Sequence, residues 1–240
     1  MKLPRLKTIK DVILDVLFPA LCLNCESVLE GGDKAKNLCG NCFRAIALYD
    51  TLVCPTCGAR FAENKKICHK DAPFRLAAAA RYDEPIVKKL VHLLKYKSLR
   101  AAAAPLGHIL NAYLERLPVN FSNYVLVPIP LHKERERLRG FNQAELIAER
   151  VAARFKIPIE ANAIARIKNN PPQAEMKDAV SRAENMKNCF EIKNPEPVRG
   201  KNVLIIDDVF TTGATIGEAV KTLKQAGAKK AVAGVLARAR

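Results

Sequence analysis

The chain has 240 residues, 49% of them hydrophobic, enough for one ordinary domain and a small one, which excludes disorder as its default state. Its 40 Lys and Arg against 24 Asp and Glu leave a formal net charge of +16, an excess that favours polyanionic partners such as nucleotides, nucleic acid or an acidic membrane surface. No uninterrupted apolar run nears the ~18 residues that span a bilayer, so membrane insertion is excluded and a soluble, cytoplasmic protein is expected.

The opening stretch, "MKLPRLKTIKDVILDVLFPALC", is basic and then apolar, like an export signal. Asp11 and Asp15 interrupt its apolar run and no small-residue cleavage site follows, so a short amphipathic helix is expected instead. Thr8 with Asp11 forms its capping box, and Pro19 ends it. Seven of the eight cysteines then fall between positions 22 and 68. "CLNC" (Cys22, Cys25) is followed after 13 residues by "CGNC" (Cys39, Cys42), two knuckles that can deliver four thiolates tetrahedrally to one zinc ion. "CPTCG" (Cys54, Cys57) repeats the pattern, and 10 residues later comes "CHKD", with Cys68 but no second cysteine. This second site is three cysteines completed by Asp71, three completed by His69, or degenerate. Without an export signal, disulfides are disfavoured. Both tetrads would be coordinatively closed, so the expected zinc is structural, holding together roughly 50 residues that lack a core of their own. Cys189 stands alone and is read as a small buried apolar residue.

From Phe74 onward the periodicity changes. "EPIVKKLVHLLKY" places Pro85 at a first helical position and Ile86, Leu90, Leu93 and Leu94 on one face. "PLGHILNAYLERL" continues helically through Leu106, Ile109, Leu110, Tyr113, Leu114 and Leu117. "YVLVPIP" reads as a buried strand, followed by a charged loop, "LHKERERLRG". Asn142 with Glu145 then caps a helix with a stripe of Ala144, Ile147, Ala148, Val151 and Phe155. "VLIID" is a further buried strand, "ATIGEAVKTLKQAG" a helix closed by Gly227, and "KAVAGVLA" a strand. Near-continuous apolar strands alternating with helices predict an open α/β domain, a parallel sheet covered by helices on both faces. The expected division is residues 1–73, an N-terminal helix and double zinc ribbon, and residues 74–240, the α/β domain. The first part carries a net +3 and the second +13, so most of the basic excess lies with the α/β domain.

In such sheets ligands sit outside the carboxyl ends of strands. "VLIIDDVFTTGAT" puts Asp207 and Asp208 at such an end, followed by a turn that opens a helix. Backbone N–H groups of Thr211, Thr212, Gly213, Ala214 and Thr215 can converge there on one anion, aided by the helix N-terminus and the threonine hydroxyls. No G-x-x-x-x-G-K-[ST] is present, so this is not a Walker loop. One phosphate beside two carboxylates suits a ligand with phosphate on one side and vicinal hydroxyls on the other, such as ribose 5-phosphate. The carboxylates would also help orient Mg²⁺ through water.

"VLIIDDVFTTGAT" resembles the phosphoribosyl pyrophosphate (PRPP) signature of type I phosphoribosyltransferases. The whole chain is similar to the competence protein F family, in which a double zinc ribbon precedes this domain. The matching stretches are "LFPALCLNC", "CPTCG", "LKY", "VPIPLHKERERLRGFNQAELI", "PPQ" with "RAEN", and the PRPP loop; the chain departs from the pattern at Asp71. The resemblance implies that Asp207 and Asp208 contact the ribose 2′ and 3′ hydroxyls and carry catalysis, while Thr211 through Thr215 bind the 5′-phosphate. It gives the basic loop a role too: Arg137 and Arg139, with Lys133 and Arg135, would meet pyrophosphate or fold over the site. The implied activity is Mg²⁺-dependent transfer of phosphoribose from PRPP to an acceptor that the residues do not name. The alternative is a PRPP-sensing module that engages single-stranded DNA or a DNA-uptake protein. Aromatics at 6% and the absence of Trp limit base-stacking platforms for that second role.

Overall fold

The computed structural model describes residues 17–61, 68–69, 72–169 and 186–239. The expected N-terminal helix with Thr8 and Asp11, the candidate ligand Asp71, and the "PPQ" and "RAEN" segments lie outside the described residues. In chain order come two short helices, α1 (Asp33–Lys36) and α2 (Gly40–Arg44), strand β1 (Arg75–Arg81), α3 (Pro85–Tyr96), α4 (Ala103–Leu114), β2 (Tyr124–Pro128), α5 (Lys133–Arg139) and α6 (Gln143–Phe155). They are followed by β3 (Ile164–Arg166), β4 (Phe190–Ile192), β5 (Asn202–Phe210), α7 (Ala214–Gln225) and β6 (Ala231–Arg238). Four strands form a parallel sheet in the order β1-β6-β5-β2, and β3 and β4 make a separate antiparallel ribbon.

Successive side chains of a strand point to opposite faces, and the core divides accordingly. Ala77, Leu126, Leu204, Ile206, Val232 and Leu236 pack with the apolar stripes of α3, α4 and α6. Leu76, Val125, Val203, Ile205, Ala233 and Val235 face α7 and the β3–β4 ribbon instead. Helices therefore cover both faces of an α/β sheet. On the first face α4 and α6 approach closely at Gly107, where a β-carbon would stand 2.5 Å from the Cβ of Arg150.

Three elements depart from the sequence expectation. Residues 133–139 are a helix, α5, rather than a loop. His132 accepts a hydrogen bond from the Glu134 amide, Glu134 and Glu136 sit in the first turn, Arg137 and Arg139 in the last, and Gly140 closes it at φ +81°; this charge order complements the helix dipole. Strand β1, "RLAAAAR", was masked by the helix preference of alanine, which pairing with β6 overrides. The β3–β4 ribbon is too short to show a period.

The cysteine-bearing residues share the core of the α/β part. Leu29, Leu38, Ile46 and Leu52 are buried in the cluster that holds α3 and α4, and Phe43 stacks on His108 of α4 at 4.4 Å. Tyr113 donates its hydroxyl proton to the Thr51 carbonyl (2.7 Å). Val53 and Leu76 exchange two backbone hydrogen bonds, at 2.9 and 3.0 Å, and the Tyr49 amide donates to Ala79. Residues 49–53 thus lie along the outer edge of β1.

Candidate functional site

Two groups of metal-ligating atoms are drawn together in the front part. The sulfurs of Cys22, Cys25, Cys39 and Cys42 lie within 4.8 Å of one another, as do those of Cys54, Cys57 and Cys68 with a ring nitrogen of His69. Cys25 and Cys39 are 3.7 Å apart at sulfur, Cys57 and Cys68 3.4 Å, and His69 Nδ1 is 3.6 Å from Cys54 Sγ. A disulfide needs about 2.05 Å, whereas zinc with bonds of about 2.3 Å to sulfur sets tetrahedral edges of about 3.8 Å. Both groups fit zinc. Among the described residues His69 completes the second group. Local donors favour the thiolate at one or more positions of each group, while burial pushes Cys42 up to about 12. The Cys25 thiol is pulled down to about 6, chiefly by the Ser27 hydroxyl and amide. Burial pushes Cys54 up, but the amides of Cys57 and Thr56 outweigh it and bring it to about 6. Cys189 is fully buried in the α7-side core, as expected of an apolar residue.

The acidic pair lies within the carboxyl-terminal half of β5, buried at 8% (Asp207) and 3% (Asp208) exposure. Burial on a buried strand, and then the neighbouring Asp208 charge, push the Asp207 carboxyl up to about 7. Asp207 Oδ1 accepts the Asp208 amide at 2.8 Å. Strand alternation turns the two acids in different directions. Asp208 Oδ1 meets the Lys95 ammonium from the last turn of α3 at 2.8 Å, while Asp207 feels Lys95 first and Arg166 of β3 after it. The second oxygen of Asp208, Oδ2, is buried with no hydrogen-bond partner among the described residues. A carboxylate with one unsatisfied acceptor fits a ligand hydroxyl or a hydrated divalent cation.

After the acids the chain turns into α7. Gly213 is its N-cap, at φ +82° and with no side-chain cap, and a β-carbon there would lie 2.8 Å from the Phe210 ring. Only glycine fits both the left-handed backbone and that contact. Thr212 Oγ1 accepts the Ala214 amide at 3.4 Å. In α3, α6 and α5 the accepting side chain belongs to the N-cap residue itself, Glu84, Asn142 and His132. The carboxyl end of β5 thus runs through Thr211 and Thr212 into the N-terminal turn of α7, where helix amides point outward.

The basic helix contributes unevenly. Arg139 is half-buried, donates to Gln143, and is coupled to Asp208; burial is the main cause of its lowered pKa. Arg135, one turn earlier, donates to Asn169 Oδ1 at 3.1 Å, and Asn169 donates to Glu134 at 2.5 Å, so α5 is tied to the end of β3. Arg137 is exposed on the other side of α5. Sequence reasoning named Arg135 and Arg139 but missed Lys95 and Arg166 as members of this cluster. A helical reading of "KERERLR" would have put Arg135 and Arg139 on one face; Lys95 and Arg166 carry no local signal.

Comparison with known proteins agrees with this architecture. A phosphoribosyl transferase domain matches residues 142–240 and a double zinc ribbon domain matches residues 13–70. DNA utilization protein YhgH of Escherichia coli O157:H7 is 31% identical over 220 residues, covering 88% of this chain and 93% of that protein. The chain belongs to the competence protein F/YhgH family. Within that family, competence protein F of Haemophilus influenzae is 29% identical over 232 residues, covering 91% of this chain and 96% of that protein. A purine phosphoribosyltransferase from Pyrococcus horikoshii Ot3 aligns with 60% of this family member and 76% of its own chain, at 18% identity and a TM-score of 0.33, too loose a superposition to carry an argument. Among the described residues no helix is long and apolar enough to cross a membrane.

Proposed function

We propose that the protein binds PRPP with Mg²⁺ and transfers its phosphoribosyl group, with residues 1–73 as the zinc-binding unit and residues 74–240 as the transferase unit. The observation that carries this reading is the buried Asp207–Asp208 pair, with Asp208 Oδ2 unpartnered among the described residues, followed within one turn by the glycine-led N-terminus of α7. Asp207 and Asp208 accept the ribose 2′ and 3′ hydroxyls, and Thr211, Thr212, Gly213, Ala214 and Thr215 hold the 5′-phosphate. Arg139 and Arg135 stand on the side where pyrophosphate departs, and α5 folding over the site would bring Arg137 in.

Displacement at the anomeric carbon passes through an oxocarbenium-like state, so rate is gained by stabilising the leaving pyrophosphate rather than by a strong base. The cations Lys95, Arg135, Arg139 and Arg166 outnumber the two acids and set a positive potential for that anion. Magnesium, when bound with PRPP, supplies further neutralisation of the pyrophosphate charge. Asp208→Asn should weaken Mg-PRPP binding by about 1 to 3 kcal/mol, the scale of a charged hydrogen bond. Titration calorimetry showing unchanged affinity for both Asp207→Asn and Asp208→Asn would sink the ribose assignment. Incubation with PRPP, Mg²⁺ and a library of nucleobases and amines, followed by pyrophosphate release, tests turnover.

A second reading, a PRPP-responsive module that engages single-stranded DNA, is favoured by the net +13 of residues 74–240. It predicts oligonucleotide binding that weakens steeply with salt and changes when PRPP is added.

A further inference from the structure

The feature that the proposed chemistry leaves unexplained is how any ligand reaches Asp208. Its side chain is only 4% exposed and its Oδ1 is held by Lys95 at 2.8 Å. Its Oδ2 is sealed from solvent and bonded to nothing among the described residues. The Lys95 side chain, by contrast, is 25% exposed, so the ammonium that holds Asp208 is partly open to solvent. Burial opposes charge on Lys95, yet the Asp208 and Asp207 carboxylates outweigh it and keep the amine protonated. A carboxylate with one acceptor unused is an incompletely satisfied partner, and a lysine stem with several rotatable bonds can carry its three donors elsewhere.

We propose that Lys95 is an exchangeable counter-ion: it pairs with Asp208 until ribose hydroxyls replace it, and its ammonium then moves to the phosphoryl oxygens of the incoming pyrophosphate. This rests on the PRPP reading above. The exchange keeps both charges compensated throughout, since Asp208 gains hydroxyl donors as Lys95 gains phosphate oxygens. It also makes the opening of the ribose site conditional on an anion that can receive the lysine. Ribose 5-phosphate, which supplies the hydroxyls but no pyrophosphate, would have to displace Lys95 without giving it a new partner. The protein should therefore favour PRPP over ribose 5-phosphate by more than the contacts of Arg135 and Arg139 provide.

The test is titration calorimetry of the full-length, zinc-loaded protein with Mg-PRPP and with ribose 5-phosphate, comparing wild type, Lys95→Met and Lys95→Arg. Lys95→Met should weaken Mg-PRPP by about ten- to thirtyfold, the loss of one charged hydrogen bond. It should leave ribose 5-phosphate unchanged within about threefold or bind it more tightly, because Asp208 is no longer covered. Lys95→Arg, which keeps the charge, should retain most of the preference for PRPP. Equal losses for the two ligands would mean that Lys95 only holds Asp208 in place, and no loss for either would mean that it takes no part; both overturn the exchange. If wild type binds neither ligand, the PRPP reading falls first and the exchange with it. Should Lys95→Met fail to fold, Lys95→Arg decides: if it loses the wild-type preference for PRPP over ribose 5-phosphate although the charge is kept, the proposal is overturned.

Discussion

The cysteine clusters and the acidic pair both gather groups that repel one another when ionised, and they resolve that conflict in opposite ways. In the clusters a metal ion can take up the charge of thiolates that lie close together in the sequence, so the repulsion becomes a cross-link. At Asp207 and Asp208 the chain itself supplies the compensation, from Lys95 and Arg166 on remote elements, and it falls short: Asp207 stays shifted up to about 7. The first arrangement contributes stability, whereas the second holds stored cost at a place where a ligand can relieve it. Neutralising substitutions in the two regions should therefore change stability with opposite signs.

The largest effect is expected in the front cluster. Cys42→Ser should destabilise the protein by about 4 kcal/mol or more, as loss of a buried metal ligand does. Cys57, exposed at its own cluster, should cost less than half as much when changed to serine. Denaturant unfolding of both variants, with zinc content by elemental analysis, reads this directly. Equal losses would erase the difference between the clusters, and a metal-free protein of unchanged stability would refute both sites. Two zinc ions per chain are expected for wild type.

The acidic pair should move the other way. The folded-state value of Asp207, about 7, lies above its ordinary 3.8, so the folded protein binds a proton that the unfolded chain has released. Stability is then fully present below pH 4 and lost as pH rises through 7, on the order of 2 to 4 kcal/mol. Asp207→Asn should lack that slope and melt at a higher temperature than wild type at pH 8, while losing affinity for Mg-PRPP. A melting temperature at pH 8 that falls on substitution would show the pair to be structural.

Gly213→Ala should cost about 1 to 2 kcal/mol, because it meets both the positive φ and the Phe210 ring. It should also weaken inorganic phosphate binding, and an intact affinity would detach the α7 terminus from the anion. The smallest effect concerns α5. Trypsin cleavage after Lys133 and Arg137 should slow several-fold on addition of Mg-PRPP and less with ribose 5-phosphate. Equal cleavage in all conditions would leave α5 as a static, solvated helix.

What could be read in the sequence follows the same contrast. Cys22, Cys25, Cys39 and Cys42, and the run from Val203 to Thr215, are legible because their chemistry is set by neighbours along the chain. The parallel strands β2, β5 and β6 and the helices α3, α4, α6 and α7 were legible through apolar periodicity. Lys95 and Arg166 were not, since only the packing of α3 and of the separate β3–β4 ribbon around the sheet brings them near the acids of β5. His69 stood open beside Asp71 because both residue types can ligate zinc and the spacing alone does not choose between them. Strand β1 was hidden because four successive alanines carry no period at all.

The contact of residues 49–53 with β1 has a further consequence. Edge strands present unpaired backbone groups that can template association with another chain. Here the segment that occupies this edge connects the two cysteine clusters, so its position depends on metal at either end. Chelation should therefore do more than loosen the ribbons. It would uncover an alanine-rich strand, and self-association through that edge is the expected outcome, so that metal supply would bear on the solubility of the α/β part as well as on the shape of its front.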